Sequence, residues 1–157
     1  MSEAVRLTDR PVALEVPATL AALSEIAGFV LGLADAAGLG RGPAYRLRLA
    51  VDELATNVVT HGYRGGDGRI TVRGRAGAGW VRVLLEDTAP AFDPVAGCLP
   101  PATGVPPERR RVGGLGIHLA LTSVDEFSYV RIEDRNISAL TVIGDDVRRT
   151  PACPPPP

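Results

Sequence analysis

Two polar residues four positions apart, Glu53 and Asn57, have types and a spacing that could do chemistry. Apolar residues in the surrounding stretch 45–63 recur at the helical period: Leu47, Val51, Leu54 and Val58. Residues four apart lie on one face of a helix, so the carboxylate and the carboxamide would be stacked. Oxygen groups of this kind can hold a divalent cation, and a carboxylate can also accept a proton. The same pair fits an ordinary solvated helix face, so the neighbouring motifs have to decide.

Two features further along the chain favour a binding site over a solvated face. Asp87 ends an alternating strand pattern and precedes a segment rich in proline and glycine. Gly113, Gly114 and Gly116 then open a helical pattern. Glycine amides at a helix N-terminus present free N–H donors at the positive end of the helix dipole, which suits an anion.

The elements that must position these residues follow the order strand, helix, helix, hairpin, loop, helix, hairpin. Periodicity and turn residues place strands at 7–16, 69–75, 80–86, 126–133 and 137–144, and helices at 20–37, at 45–63 and after 113. Pro11 suits an edge strand, Thr19 suits a helix N-cap, and Gly62 suits a left-handed helix end. Residues 134–136 are predicted as the turn of the last hairpin. Helices on one face of a mostly antiparallel mixed sheet predict an α/β (α+β) two-layer sandwich.

Length and composition indicate one domain with flanking segments. The chain has 157 residues, of which 45% are hydrophobic and only 4% aromatic, so its core must be aliphatic. We predict an N-terminal arm at 1–9, a folded domain at 10–146 with a loop at 88–112, and a disordered proline-rich tail at 147–157. A loop of that length inside a domain is typically a lid, a binding loop or disordered.

Charge and hydropathy exclude several classes of function. The net charge of −1 provides no basic surface for nucleic acid. No apolar stretch is long enough to span a bilayer, and the N-terminus has no signal-peptide layout. Cys98 and Cys153 do not have the spacing of a metal site. These features predict a cytoplasmic protein without a direct nucleic-acid or membrane partner.

Several other residues receive no firm role at a site. Trp80 and Tyr129 are interpreted as core or sheet-face residues rather than ligand-stacking residues. Asp125 is interpreted as a polar residue after a helix, without assigned chemistry. The basic run 109–111 fits either a contact with phosphate or an acidic partner, or a solvated charge run.

The motifs in their fixed order resemble the ATP-binding (Bergerat-type) fold of the GHKL superfamily, which includes gyrase, Hsp90, histidine kinases and MutL. Within that superfamily the chain is most similar to the stand-alone anti-sigma-factor serine/threonine kinases. The phrases that carry the resemblance are VDELATNVVTHGY, EDTAPAFDP, GGLGIHLALTSVDEFSYVR and NISALTV. The similarity runs from about residue 10 to about residue 145.

The resemblance implies a role for each matching residue in binding Mg²⁺ and ATP. Asn57 matches the Mg²⁺ ligand, and Glu53 matches the acid that orients or deprotonates the attacking hydroxyl. Asp87 matches the carboxylate that accepts a hydrogen bond from the adenine amino group. The segment Gly113, Gly114, Leu115 and Gly116 matches the glycine box that approaches the phosphates. Glycine permits this approach because it has no side chain.

One position departs from the pattern of the family. Ala89 stands where the first glycine box usually has its first glycine, so it is expected beside the nucleotide. Its methyl group would crowd the adenine or bar a positive φ angle. This departure leaves open a second hypothesis, in which the chain is a catalytically weak or inactive binding module that sequesters a sigma factor or an antagonist.

The resemblance also implies a function and its partners. It predicts an ATP-dependent serine/threonine kinase and anti-sigma factor of a partner-switching system. The substrate would be an anti-sigma-factor antagonist of the STAS type, and the second partner a sigma factor or an equivalent target protein. Relatives of this kind often dimerise through the first strand and helix, so a homodimer is possible.

Overall fold

A five-stranded antiparallel sheet forms one layer of the protein. The computed structural model of the chain describes residues 11–92 and 114–148. The strands are β1 (Val12–Pro17), β2 (Arg69–Gly77), β3 (Trp80–Asp87), β4 (Glu126–Ile132) and β5 (Arg135–Ile143). Their order in the sheet is β1-β2-β3-β5-β4, and every neighbouring pair is antiparallel. The predicted edge position of the first strand is therefore confirmed.

Helices form the second layer. They are α1 (Leu23–Ala36), α2 (Arg41–Asn57), α3 (Gly114–Ser123) and the short α4 (Asp145–Arg148). A 3-10 turn (Leu20–Ala22) precedes α1, and a π-helical turn (Val58–Gly62), here called the π turn, continues α2. Side chains of the first three helices share one aliphatic core with the sheet. The two-layer α/β sandwich predicted from the sequence is thereby confirmed.

Strict alternation along the strands explains which face the helices cover. In β2, Ile70 and Val72 are fully buried under the helices, whereas Arg69 and Arg73 project from the opposite face. Gly74 faces Leu33 of α1, whose side chain occupies the space that a Cβ atom would need. Burying one such aliphatic side chain contributes roughly 1.5–3 kcal/mol, so this face fixes the register of the strands.

The helix that carries Glu53 and Asn57 begins earlier than the sequence suggested, and it ends in a different way. It begins after Gly40, and Pro43 lies in its first turn as predicted. The predicted left-handed conformation of Gly62 is wrong, because the positive φ angles fall later, at Arg64 (53°) and Gly65 (76°). Glycine is instead needed at position 62 because the backbone there closely approaches Ala89 in the loop after β3.

Three further predictions about chain ends and turns need correction. Thr19 occupies the N-cap position of the 3-10 turn that precedes α1, but its side chain makes no capping hydrogen bond. The final hairpin turns at Glu133, which has a φ angle of 55°, and β5 already begins at Arg135. Asn136 is therefore a buried strand residue and not part of the turn. Val147 and Arg148 of the predicted tail belong to α4, and Val147 packs against Gly79, whereas residues 149–157 lie outside the described residues.

Arg46 of α2 ties three elements together at the end of the sheet opposite Asp87. Its Nη1 donates to the carbonyl of Ser123, the last residue of α3, at 3.0 Å, and its Nη2 donates to the carbonyl of Ile143 at 3.3 Å. Asp125 lies 3.6 Å from Nη1, accepts from the Ile143 N–H at 2.8 Å and pairs with Arg148. Asp125 thus has a structural role that the sequence did not reveal.

In the described part of the chain, no helix has the length and hydropathy to cross a membrane.

Candidate active site

A cleft opens between α2, the π turn, α3 and the ends of β3, β4 and β5. The space between its walls, together with the solvent at its opening, is about 380 Å³. The cavity itself has a volume of only about 20 Å³. The lining includes three of the predicted site residues: Asn57, Asp87 and Ala89. Its apolar walls are Leu54, Val58, Leu85, Phe92 and Ile117.

Asp87 is the buried carboxylate of this cleft, with 6% of its surface exposed. Its Oδ1 accepts a hydrogen bond from the Ala89 N–H at 2.9 Å and another from Asn136 Nδ2 at 2.8 Å. Both hydrogen bonds that the described residues give Asp87 fall on Oδ1. Burial raises the pKa of Asp87 above its ordinary value, and the two hydrogen bonds and Arg131 only partly offset this.

The loop after β3 is held from two sides, which fixes the backbone next to Asp87. On one side the Thr88 N–H donates to the Tyr63 hydroxyl at 2.9 Å. On the other side the carbonyl of Ala89 accepts from Asn136 Nδ2 at 3.0 Å and from Arg131 Nη1 at 3.2 Å. The ordering of this loop therefore comes from side chains of distant segments rather than from its own sequence.

Ala89 fits the structure without backbone strain. It is 2% exposed, and among the described residues only Arg64 and Glu133 are non-glycine residues with a positive φ angle. The expectation that Ala89 would need a positive φ angle is therefore wrong. A Cβ atom built on Gly62 would lie 2.9 Å from the Cβ atom of Ala89. The absent side chain at position 62 makes room for the methyl group at position 89.

Glu53 and the glycine box meet at the other side of the site. A Cβ atom built on Gly116 would lie 2.9 Å from Oε2 of Glu53 and 3.2 Å from Oε1. Gly114 begins α3, Leu115 follows it within the same helix, and Gly113 lies outside the described residues. The structure thus brings Glu53 to Gly116, and Asn57 to the cleft that Asp87 lines. Glu53 and Asn57 are both partly buried.

Sequence reasoning missed three residues of the site: Tyr129, Arg131 and Asn136. Tyr129 and Asn136 line the cleft, and all three form one hydrogen-bonded network. The interpretation of Tyr129 as an ordinary sheet-face residue was incomplete, because its hydroxyl donates to Asn136 Oδ1 at 2.8 Å. The motif NISALTV begins at Asn136, so the signal was present but pointed to no chemistry.

The donor set suits a cation held mainly by its ligand rather than by a protein cage. Within residues 11–92 and 114–148 there is no group of three or more His, Cys, Asp or Glu side chains that could hold a metal ion. Mg²⁺ usually takes one or two protein oxygens and completes its shell with phosphate and water. The Asn57 carboxamide is compatible with that arrangement.

Comparison with known proteins identifies the family. The model of the family described as "Histidine kinase-like ATPase domain" matches residues 16–142. The chain belongs to this family. It has the fold of the GHKL ATPases, as the sequence motifs predicted, with an open antiparallel sheet under a layer of helices.

Two curated relatives are serine-protein kinases named RsbW, from Listeria innocua and Listeria monocytogenes. Each is 33% identical to the chain over 99 residues, which are 60% of this chain and 63% of the relative. The match therefore spans less than two thirds of these relatives. A crystal structure of the RsbU and RsbW domains of Rv1364c from Mycobacterium tuberculosis has a TM-score of 0.57 and 22% identity, covering 85% of this chain and 32% of that chain. This likeness supports the fold.

Proposed function

We propose that the chain binds Mg·ATP and phosphorylates a serine or threonine of an anti-sigma-factor antagonist. The observation that carries the proposal is the buried carboxylate of Asp87 in the wall of the cleft, of which only one oxygen is hydrogen-bonded by the described residues. A buried acceptor in an apolar cleft favours a base with an amino group, because a base without it leaves the acceptor unpaired.

The other residues of the site supply the remaining roles in this proposal. Asn57 would ligate Mg²⁺, which, when bound, neutralises charge on the phosphates. The phosphates would be faced by the backbone N–H groups of the glycine box, Gly113, Gly114, Leu115 and Gly116. Glu53 would accept the proton of the substrate hydroxyl. As the hydroxyl oxygen bonds to the γ-phosphorus, the bond between the γ-phosphorus and the oxygen that leaves with ADP would break. Such transfer rests on positioning and electrostatics.

The proposed partners follow from the relatives rather than from a surface of the chain. The Listeria relatives are named serine-protein kinases, which supports a protein hydroxyl as acceptor. An antagonist of the STAS type and a sigma factor, or an equivalent target, would compete for the chain in the cytoplasm. One added phosphate would decide that competition. A homodimer formed through β1 and α1 is also part of this proposal.

A second candidate is the inactive binding module, which the narrowness of the cleft favours. The 20 Å³ that a water-sized sphere can reach hold about one water molecule. An adenine would therefore have to displace wall side chains, of which Phe92 at the mouth is 42% exposed. If the walls do not yield, the chain would bind its protein partners without nucleotide.

Calorimetric titration of Mg·ATP into the wild-type chain, Asn57→Ala and Glu53→Gln distinguishes the two candidates. The kinase predicts binding in the wild type, a loss of roughly tenfold or more in Asn57→Ala, and near-normal binding in Glu53→Gln with lost phosphorylation of the antagonist. Asp52→Asn is the matched control, because the neighbouring carboxylate pairs with Arg48 at 3.3 Å. Absence of both heat and thermal stabilisation in the wild type would favour the binding module.

A further inference from the structure

Asn136 is a buried carboxamide with every hydrogen-bonding position filled. It is 5% exposed, and its Oδ1 accepts from Tyr129 at 2.8 Å and from Arg131 Nη1 at 2.7 Å. Its Nδ2 donates to Asp87 Oδ1 at 2.8 Å and to the Ala89 carbonyl at 3.0 Å. Arginine can only donate, so Oδ1 must face Arg131 and Nδ2 must face Asp87. The orientation of the amide is therefore determined by its partners.

The consequence of this orientation is a fixed plane for the carboxylate of Asp87. Asn136 and the Ala89 N–H both occupy Oδ1, and Asn136 also holds the carbonyl of Ala89. Turning the carboxylate out of this plane would break both bonds. One oxygen is thus held by the protein, and the other, chemically equivalent oxygen receives no hydrogen bond from the described residues. Among the described residues, none from α2 or α3 donates a hydrogen bond to Asp87.

We propose that Asn136 is a positioning residue that sets the preference of the site for a base with an exocyclic amino group. It would act through Asp87, without touching the nucleotide chemistry, and the preference would be lost when its donor is removed. The proposal rests on the proposed function, because it assumes that a nucleotide enters the cleft. It goes beyond that function by assigning specificity to the β4–β5 hairpin.

The charged and titratable groups around Asp87 allow a second readout, the pH dependence of ATP affinity. Arg131 and Tyr129 face it from β4, and Asn136 faces it from β5. The cleft residues from α2, the π turn and α3 carry no titratable side chain: Leu54, Asn57, Val58, Gly62 and Ile117. Burial raises the pKa of Asp87, and the Asn136 hydrogen bond is the largest effect that lowers it. Affinity for ATP should therefore fall as the pH falls through the raised pKa of Asp87 in the wild-type protein.

The test compares the dissociation constants of ATP and inosine triphosphate, which has a carbonyl in place of the amino group. The full chain and its variants Asn136→Ala, Asn136→Asp and Arg135→Gln are titrated with each nucleotide. We expect the wild type to prefer ATP and Asn136→Ala to lose at least tenfold of that preference. Arg135→Gln is the matched control, since this neighbour on β5 projects from the opposite face of the sheet, outside the cleft lining, and lies 3.9 Å from Glu86. It should keep the preference.

Asn136→Asp provides an independent test, because it should reverse the pH dependence of ATP affinity. It is isosteric and retains the acceptor for Tyr129 and Arg131, but it places a carboxylate next to Asp87. Two such carboxylates share one proton at low pH and repel each other when both are ionised. ATP affinity relative to the wild type should thus fall as the pH rises. Dividing by the wild-type value at each pH removes the titration of ATP itself.

The outcomes separate this inference from the proposed function. A folded Asn136→Ala chain with the wild-type preference for ATP overturns the role of Asn136 and leaves the nucleotide site standing. A wild-type chain that binds neither nucleotide overturns both. Urea unfolding reports whether each variant folds. If Asn136→Ala does not fold, the pH profile of Asn136→Asp decides, and a profile parallel to the wild type overturns the proposal.

Discussion

The carboxylate of Glu53 lies against the backbone of Gly116, so closely that a Cβ atom on residue 116 would be 2.9 Å from Oε2. This contact joins α2, which carries the proposed base, to the first turn of α3, which carries the glycine box. Gly116 is in a helix and is not among the glycines with a positive φ angle. The close approach of the Glu53 side chain, and not a special backbone conformation, therefore accounts for glycine at this position.

Gly116→Ala should displace Glu53 and slow phosphoryl transfer more than it weakens ATP binding. A misplacement of about 1 Å in a catalytic group can cost roughly 100-fold in rate. The measurement is the rate of single-turnover transfer together with the dissociation constant of ATP. Gly28→Ala is the matched control, because a Cβ atom at this exposed position of α1 meets nothing within 4 Å. An unchanged transfer rate in Gly116→Ala would contradict the assigned contact.

Gly62 and Ala89 should behave as a complementary pair. Gly62→Ala introduces a methyl group 2.9 Å from that of Ala89, and we expect it to lower the free energy of unfolding by roughly 1–3 kcal/mol. Ala89→Gly in the same chain should restore much of this loss. Urea unfolding of the two single variants and the double variant gives the coupling free energy, expected at roughly 0.5–3 kcal/mol. Strict additivity of the two changes would show that the methyl groups do not compete for one space.

Local patterns were sufficient to predict the fold and the residues that lie on regular elements. The alternation of Ile70 and Val72 with arginines predicted β2 correctly, because one face of the strand is buried. The four-residue spacing of Glu53 and Asn57 placed both on α2, and Asp87 was correctly placed at a strand end. These features depend only on neighbours along the chain.

Features that depend on contacts between distant segments could not be predicted in this way. Asn136 was assigned to the turn between the last two strands, yet its partners Asp87 and Ala89 lie more than 45 residues away. Gly62 was assigned a left-handed conformation because glycine often ends helices, whereas the actual reason is the methyl group of Ala89. Sequence alone did not bring these segments together.

Asp87→Asn should stabilise the folded chain at neutral pH while it weakens ATP binding. Burial raises the pKa of Asp87 in the folded state, so the folded state binds this proton more tightly than the unfolded state. Its contribution to stability therefore falls as the pH rises from the ordinary value through the raised pKa. An asparagine retains an acceptor for Ala89 and Asn136 but carries no charge, so this fall should disappear.

Urea unfolding between pH 4 and pH 8 measures the effect of Asp87→Asn on stability. The difference in unfolding free energy between variant and wild type should grow in favour of the variant as the pH rises. Glu86→Gln is the control on the same strand, since Glu86 projects from the opposite face and pairs with Arg73 at 2.8 Å. If the wild type, compared with Asp87→Asn, were more stable at pH 8 than at pH 4, the raised pKa of Asp87 would be refuted.

Arg46 should be the most important single cation for the stability of the described fold around α3. Its guanidinium group donates to the carbonyls of Ser123 and Ile143, and its side chain is only 21% exposed. Arg46→Met leaves two carbonyls and the carboxylate of Asp125 without this partner. Loss of such partly buried bonds costs about 1–3 kcal/mol each, so a decrease of at least that size is expected.

Arg46→Lys distinguishes geometry from charge at this position. A single ammonium group cannot span two carbonyls in the planar arrangement that a guanidinium group provides, so lysine should recover only part of the loss. Arg48→Met is the control on the same helix, because its exposed pair with Asp52 contributes about 0.5 kcal/mol or less. Urea unfolding of the three variants gives the comparison. Full recovery by lysine would mean that net charge near Asp125 and Asp145, and not the bridge between α2, α3 and β5, is what stabilises this end of the sheet.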